Sequence, residues 1–492
     1  MLNSEQTALE GVILARAGKM NDAEAKFRQL VQEQPQTTSL ILLASLLPPV
    51  YQSIDDLHQW RNRLEGQLKQ IVEAGLNQDL EQSFAVPDLL SHYMGLNDRP
   101  LQELRAKLYT APQHDDWGKK PQPASDGRIR VGLISRYFKD HPIGRMNLGL
   151  SAKLSREDFH FTILAVGAAI DDIGDQYRRQ ADKYITLPEQ VTALPEIRRM
   201  IAGLSLDVLY YTDAGLEPMT CTLAQSRLAP VQCLGWNNPV TSGLPTMDYF
   251  ISADGLEPDD EAISQAQYTE KVVRLKDMAV YFERPAADAS PGGRDRLGLP
   301  LDAHLYLCPH ALYKMHPEFD ELLAGILRGD PRGVLVLMEG PYKEWKQWLL
   351  ERFSRTMGDA VRRVRFVANQ DRQGLLRLIR ASDVVLDPLH YSGDRTTFEA
   401  LYFGTPVVTL PTNMLRGRFA YKMYKSMGYQ DCVAKDKADY VRIALELGMN
   451  KDRREQARHT ILAGRDALCE NDAGIQQLGE FWKSVVRDHL KI

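Results

Sequence analysis

The chain has 492 residues, 44% hydrophobic and 25% charged, with 60 Lys and Arg against 65 Asp and Glu for a formal net charge of −5. This length predicts two or three domains, and the composition excludes a disordered or fibrous chain. The charge balance excludes a general nucleic-acid binder and leaves room for a local basic pocket that holds phosphates. The opening MLNSEQTALEG has no basic-then-apolar leader pattern, and the apolar run Ile41–Val50 contains two prolines and is too short to span a bilayer. Cys221, Cys233, Cys308, Cys432 and Cys469 lack metal-ligand or disulfide-framework spacing. A cytoplasmic protein without membrane insertion is expected.

Residues 1–120 are expected to be helical, with Ala8, Gly11, Leu14, Ala15, Ala23, Phe27 and Leu30 at helical spacing. Gly18 breaks the run and Pro35 ends it, predicting a hairpin of Ala8–Ala17 and Asn21–Gln32 that resembles one tetratricopeptide unit. A helical pair needs stacked neighbours to bury its face, and Leu57–Ala74 and Pro100–Tyr109 are expected to supply them. Gln113–Asp126, rich in Pro, Asp and Gly, is the expected linker.

From Ile129 the pattern changes to short apolar runs alternating with helical stretches. Ile129–Ile134, Phe161–Val166, Val208–Tyr211, Val231–Leu234 and Tyr249–Ser252 predict a parallel sheet with helices on both faces, in a first Rossmann-like domain over 127–285. Leu275–Glu283 with the following PAADASPGG is expected to connect the domains. Leu305–Cys308, Val334–Met338, Val364–Val367, Val384–Leu386 and Val407–Thr409 predict a second Rossmann-like domain over 294–470, with helices at Glu318–Leu327, Glu344–Met357 and Arg372–Ala381. A last helix near Ile475–Leu490, in 471–492, is expected to pack back on the first domain. The fold class is therefore α/β, two facing Rossmann-like domains after a helical region, with a ligand cleft beyond the strands' carboxyl ends. VGLISRYFKDHPIG after the first strand lacks GxGxxG, and no GxxxxGK[ST] occurs, so nicotinamide and ATP-hydrolysis readings lose their usual support.

Chemistry concentrates in a few loops. In Ser382–Pro411, SDVVLDPLHYSGDRTTFEALYFGTPVVTLP, a strand runs into a loop with Gly393, and Arg395, Thr396 and Thr397 open a helix carrying Glu399. Helix-terminal N–H groups and two hydroxyls suit phosphate oxygens, and Glu399 is placed to accept from ribose hydroxyls; the plain alternative is a capped helix with a solvated glutamate. In Tyr306–Phe319, YLCPHALYKMHPEF, Lys314 follows a strand and can neutralise a departing diphosphate without a metal, although a lysine before a helix is usually solvated. His310 is a further pocket candidate, and His316 a weaker one. His141 follows the first strand of the first domain, where it can exchange a proton with an acceptor or hydrogen-bond a sugar. Asp213, after another strand, shapes a donor or acceptor pocket or merely caps a helix. No His, Cys or Asp cluster has zinc or redox-metal spacing, so no metal is expected.

In these segments the chain resembles the protein O-linked N-acetylglucosamine transferases and the plant SPINDLY proteins, especially their short bacterial relatives. FKDHPIG, LAPVQCLGW…TSGLPTMDY, LYKMHPEF and GDRTTFEALYFGTPVVTLP carry the likeness, which runs from about Val131 to Leu462. It implies a GT-B fold and an inverting transfer without a catalytic metal. By the same likeness His141 lies near donor and acceptor, Lys314 contacts the donor diphosphate, and Thr396 and Thr397 are the threonine pair at the phosphates. Glu399 corresponds to the ribose-binding carboxylate of many GT-B proteins, and backbone contacts to the base fall near Asn369, Gln370 and Arg372.

The chain departs from the animal enzymes at Arg395, where they carry histidine, at Ala400, nearest their ribose-binding aspartate, and at Ala311, where they carry glutamine. WNNP at Trp236–Pro239 replaces a shorter turn. The resemblance implies a nucleotide-sugar donor, UDP-GlcNAc first, and Ser/Thr hydroxyls of a protein or peptide as acceptor. The alternatives are glucose or fucose transfer from another nucleotide sugar, a glycan acceptor, or a non-catalytic helical-repeat interaction protein.

Overall fold

The computed structural model describes residues 2–81, 83–88, 90–113, 124–285 and 294–490. Most of the expected linker Gln113–Asp126, and all but the first residue of PAADASPGG, lie outside the described residues.

Helices Leu2–Ala17 and Met20–Glu33 form the N-terminal hairpin, closed by buried Ala23, Phe27 and Leu30. Helices Thr37–Ala44, Ile54–Glu73 and Arg99–Ala106 follow, and Leu57, Leu64, Leu68 and Leu101 build a second core beside the first. Ser53 starts the longest of these by accepting from the Asp56 N–H at 3.0 Å.

The first sheet has seven parallel strands: β1 (Ile129–Ser135), β2 (Phe159–Val166), β3 (Lys183–Leu187), β4 (Val208–Tyr211), β5 (Val231–Gly235), β6 (Tyr249–Ala253) and β7 (Lys271–Leu275). Their spatial order is β3-β2-β1-β4-β5-β6-β7, the doubly wound arrangement. The second sheet holds β8 (His304–Cys308), β9 (Gly333–Met338), β10 (Val364–Val367), β11 (Val384–Leu386) and β12 (Val407–Val408), all parallel, in the order β10-β9-β8-β11-β12. Central strands such as β4 are buried at every position because helices cover both faces. The edge strands β3 and β7 carry lysine and exposed positions, so neither forms an apolar run. Leu275, read from sequence as the start of the interdomain connection, is the last residue of β7.

Helix Ala473–Leu490 packs on the first sheet's domain. Its Trp482 is fully buried, edge-on to Tyr210 at 5.7 Å and to Phe159 at 6.2 Å. The helical region touches both sheet domains: Thr222 Oγ1 accepts from the Ala85 N–H at 2.8 Å, and Trp345 Nε1 donates to the Arg16 carbonyl at 2.8 Å. Among the described residues no helix is long and apolar enough to cross a membrane.

Candidate functional site

The site grows from the carboxyl end of β11. Asp387 is buried there, and its carboxylate accepts from Ser392 Oγ at 2.6 Å, the Gly393 N–H at 2.8 Å and Thr409 Oγ1 at 2.7 Å. The loop therefore wraps around one carboxylate before helix Arg395–Tyr402 begins, capped by Asp394 on the Arg395 N–H. A Cβ on Gly393 would lie 2.5 Å from His310 Cε1 and 2.8 Å from Thr397 Oγ1, so the approach of these three residues requires glycine. Thr397 Oγ1 is buried without a hydrogen-bond partner, and half-buried Thr396 sits on the same turn.

Lys314 reaches this turn from the single-turn helix Leu312–Lys314 just after β8. Its ammonium lies 4.4 Å from the centre of the Tyr391 ring, and among the described residues no carboxylate is within ion-pair distance of it. Burial depresses its pKa, opposed by Asp394 and Asp387. A desolvated cation, an unpartnered hydroxyl and helix-terminal N–H groups thus converge at one strand end, an arrangement suited to phosphate oxygens. His310 beside them is held neutral by burial and by Lys314.

The opposing face comes from the loop after β1. His141 caps helix Pro142–Lys153, with Nδ1 accepting from the Ile143 N–H at 3.2 Å, and its ring stacks on Tyr137 at 4.2 Å. It lies close enough to Asp394 across the cleft for that carboxylate to favour its protonation. Burial and Lys139 outweigh this and pull its pKa down to about 4. Nδ1 is occupied as an acceptor, so the neutral ring carries its proton on Nε2 and presents a donor to the cleft. Next to it, a cavity of about 210 Å³ joins Arg145 of the first domain to Arg372, Arg395 and Phe398 of the second.

The depressed His141 pKa carries a stability consequence. An unfolded histidine titrates near about 6.5, above the folded value of about 4, so the unfolded chain takes up the proton first as pH falls. The contribution is complete above the unfolded pKa and is lost as pH drops toward the folded one. Between pH 7.5 and 4.5 the wild type should lose about 1–2 kcal/mol more than His141→Asn, after discounting for partial exposure. Urea midpoints at the two pH values measure this, and equal losses in both proteins would refute it.

The remaining predicted residues divide. Glu399 is buried, and its Oε1 accepts from Arg395 Nε at 3.1 Å and from Arg372 Nε at 3.2 Å. Any ribose contact must therefore use its other oxygen. Asn369 is exposed and Gln370 half-buried on the loop between β10 and helix Arg372–Ala381, where Gln370 Nε2 donates to the Ala368 carbonyl at 2.7 Å.

Asp213 is not brought to this cluster. Its carboxylate is completely buried, accepts from the Arg136 N–H at 3.1 Å, and is pushed well up in pKa by burial and by Glu217. It tethers the loops after β1 and β4, a structural role that stands beside the pocket role expected from sequence. His316, Glu318 and His390 lie close enough to share a cation. However, His316 Nδ1 accepts from the Glu318 N–H at 3.2 Å, and Glu318 pairs with Lys437 at 3.0 Å. These commitments argue against a metal there.

Sequence reasoning passed over Asp387 and Tyr391. Both stand in the quoted loop, but only folding decides which donors surround a buried carboxylate and which ring lies under an ammonium.

Residues 283–469 match the model of Glycosyl transferase family 41. Over 349 residues the chain is 23% identical to a probable UDP-N-acetylglucosamine–peptide N-acetylglucosaminyltransferase, SEC, of Arabidopsis thaliana, covering 69% of this chain and 35% of that protein. Over 388 residues it is 23% identical to the SPINDLY protein of Petunia hybrida, which carries the same probable description, covering 76% of this chain and 40% of the relative. The chain thus spans well under half the length of these relatives. Its fold is similar to that of a Thermobaculum terrenum O-GlcNAc transferase mutant, with a TM-score of 0.76 at 24% identity, covering 99% of this chain and 92% of that one. The architecture is GT-B, a helical region followed by two facing parallel-sheet domains. Residues 283–469 are therefore similar to glycosyl transferase family 41, and the chain as a whole shares the GT-B fold.

Proposed function

We propose that the protein is an inverting, metal-independent glycosyltransferase that moves GlcNAc from UDP-GlcNAc to Ser/Thr hydroxyls of a protein. The observation that carries this reading is the convergence of Lys314, Thr397 and the start of helix Arg395–Tyr402 opposite His141. An acceptor hydroxyl attacks the anomeric carbon as the carbon's bond to the diphosphate breaks, negative charge collects on the leaving diphosphate, and the hydroxyl proton passes to a phosphate oxygen of that leaving group. Lys314 and the helix N–H groups stabilise that charge, the task a metal performs elsewhere. Thr396, Thr397 and Gly393 hold the phosphates, Glu399 and Arg395 border the ribose, and Asn369 and Gln370 border the base. His141 donates from Nε2 to the sugar or the acceptor.

A groove of about 480 Å³ between the helical hairpin and the first domain is lined by Val12, Arg16 and Phe27 on one side and by Arg136, Tyr137 and Glu217 on the other. Because Tyr137 stacks on His141, the groove supports a polypeptide acceptor approaching that histidine. Domain limits at 1–120, 127–285, 294–470 and 471–492 are part of the same proposal. So is a cytoplasmic location, supported by five free cysteines.

Arg395, Ala400 and Ala311 stand at donor positions and favour a second reading, transfer of glucose or fucose from another nucleotide sugar. Calorimetric titration with UDP-GlcNAc, UDP-glucose and GDP-fucose, followed by transfer assays with and without chelator, separates the readings. UDP-GlcNAc should bind tightest, and chelation should leave turnover unchanged. Preference for another donor installs the second reading, binding of none points to an interaction protein, and complete chelator inhibition overturns metal independence.

A further inference from the structure

The helical region reaches the phosphate loop itself. Tyr391, whose ring lies under the Lys314 ammonium, packs at a tilt with its ring centre 4.5 Å from that of Tyr93, which lies in the helical region. Tyr93 also lies 4.6 Å from Tyr313, the neighbour of Lys314 in sequence. Immediately before Tyr391, His390 adopts a left-handed backbone with φ 69°, unusual for a residue with a side chain. Its ring packs on Gly95, also left-handed at φ 67°, where a Cβ would come within 2.6 Å of His390 Cγ.

A second fastening lies on the other side of Tyr391. Arg416 donates to the Leu96 carbonyl at 2.7 Å and pairs with Asp98 at 2.9 Å, which Arg61 also engages at 2.6 Å. The Arg416 carbonyl in turn accepts from the Ser392 N–H at 2.7 Å. The segment 390–392 is thus held on both sides by residues 93–98.

We propose that Tyr391 is the positioning residue that aims Lys314 at the donor diphosphate, and that the helical region completes this site by holding Tyr391 through Tyr93. The inference rests on the diphosphate site proposed above. A carboxylate partner would hold the ammonium equally well but would cancel the charge that the leaving group needs. An aromatic face attracts the cation without neutralising it. The geometry also gives the helical region a role on the donor side, separate from any contact with an acceptor.

A double-mutant cycle tests this. Tyr391→Phe keeps the ring and should retain near-wild-type kcat. Tyr391→Leu removes it and should lower kcat by about 10-fold, with a smaller change in UDP affinity, because the ammonium acts chiefly on charge that develops in the transition state. In a Lys314→Ala background Tyr391→Leu should cost nothing further, since the residue whose position it controls is gone. Should Tyr391→Leu fail to fold, Tyr93→Leu takes its place, with a loss of about 3-fold that also vanishes in the Lys314→Ala background. Losses that multiply with that of Lys314→Ala, or a Phe variant as impaired as Leu, overturn the proposal while leaving the donor site standing. A wild-type protein that binds neither UDP nor GDP overturns the donor site and this proposal together.

Discussion

Lys314→Ala should lower the rate of sugar transfer by about 10²-fold or more, in line with the loss of one strong transition-state interaction. Bond breaking at the anomeric carbon places negative charge on the diphosphate. A cation already desolvated in the cleft stabilises that charge more than it stabilises the bound ground state. Lys314 meets this condition because it rests on Tyr391 and has no ion-pair partner among the described residues, so no local carboxylate must be displaced. The fold should survive, because Lys314 is only half-buried on a single-turn helix and has no ion-pair partner to strand among the described residues. Lys314→Arg should recover only part of the rate, since a broad planar fork cannot reproduce a compact ammonium at one phosphate oxygen. Initial rates on an identified acceptor, with circular dichroism and UDP titration, provide the check. Near-wild-type turnover in folded Lys314→Ala would reject Lys314 as the stabiliser of the leaving group.

The second large effect concerns stability. Arg352 and Asp320 are each almost wholly buried and form a two-pronged pair, Nε to Oδ2 at 2.8 Å and one terminal nitrogen to Oδ1 at 2.7 Å. The remaining donors of Arg352 go to the Met315 carbonyl at 2.8 Å and to the Tyr51 carbonyl, in the helical region, at 2.7 Å. Arg352→Ala strands a buried carboxylate and two buried carbonyls, and should cost about 3–5 kcal/mol. It also cuts a tie between the helical region and the second sheet domain, so amide exchange around Tyr51 should quicken along with the global loss. Asp320→Ala, which strands the guanidinium instead, should be comparably damaging, and the double variant less so than the sum. Urea denaturation of the three proteins measures the cycle. A loss below about 1 kcal/mol for Arg352→Ala would mean that water reaches Asp320 and the pair is not truly buried.

Legibility followed burial. β4 and β11 are readable to the residue because strands covered on both faces must be apolar throughout. The edge strands β3 (KYITL) and β7 (KVVRL) leave side chains in water, so lysine and threonine are tolerated and the apolar signal disappears. Helix Thr37–Ala44 (TTSLILLA) escaped notice because a short apolar run with two β-branched threonines has no clear period. At the site, Lys314 and the Thr396–Thr397 pair stood out through motif and strand-end position, whereas the sequence left Asp213 between a pocket role and a structural one, and only folding shows that it is completely buried.

By itself the sequence determined the order of elements, a helical region and then two doubly wound domains, and the short motifs that stand at the strands' carboxyl ends. Local patterning suffices for that, because the period of apolar residues reports which face of a helix or strand is covered. The tertiary structure alone decided the partnerships. Glu399 meets Arg372, 27 positions away, Asp387 meets Thr409, 22 away, and Arg352 meets Tyr51, 301 away. Tyr93 comes against the loop that carries Tyr391 through the packing of the helical region on the second domain. Such contacts depend on how separately formed elements dock, and the geometry of docking is set by side-chain shape and charge over the whole interface rather than by any local pattern.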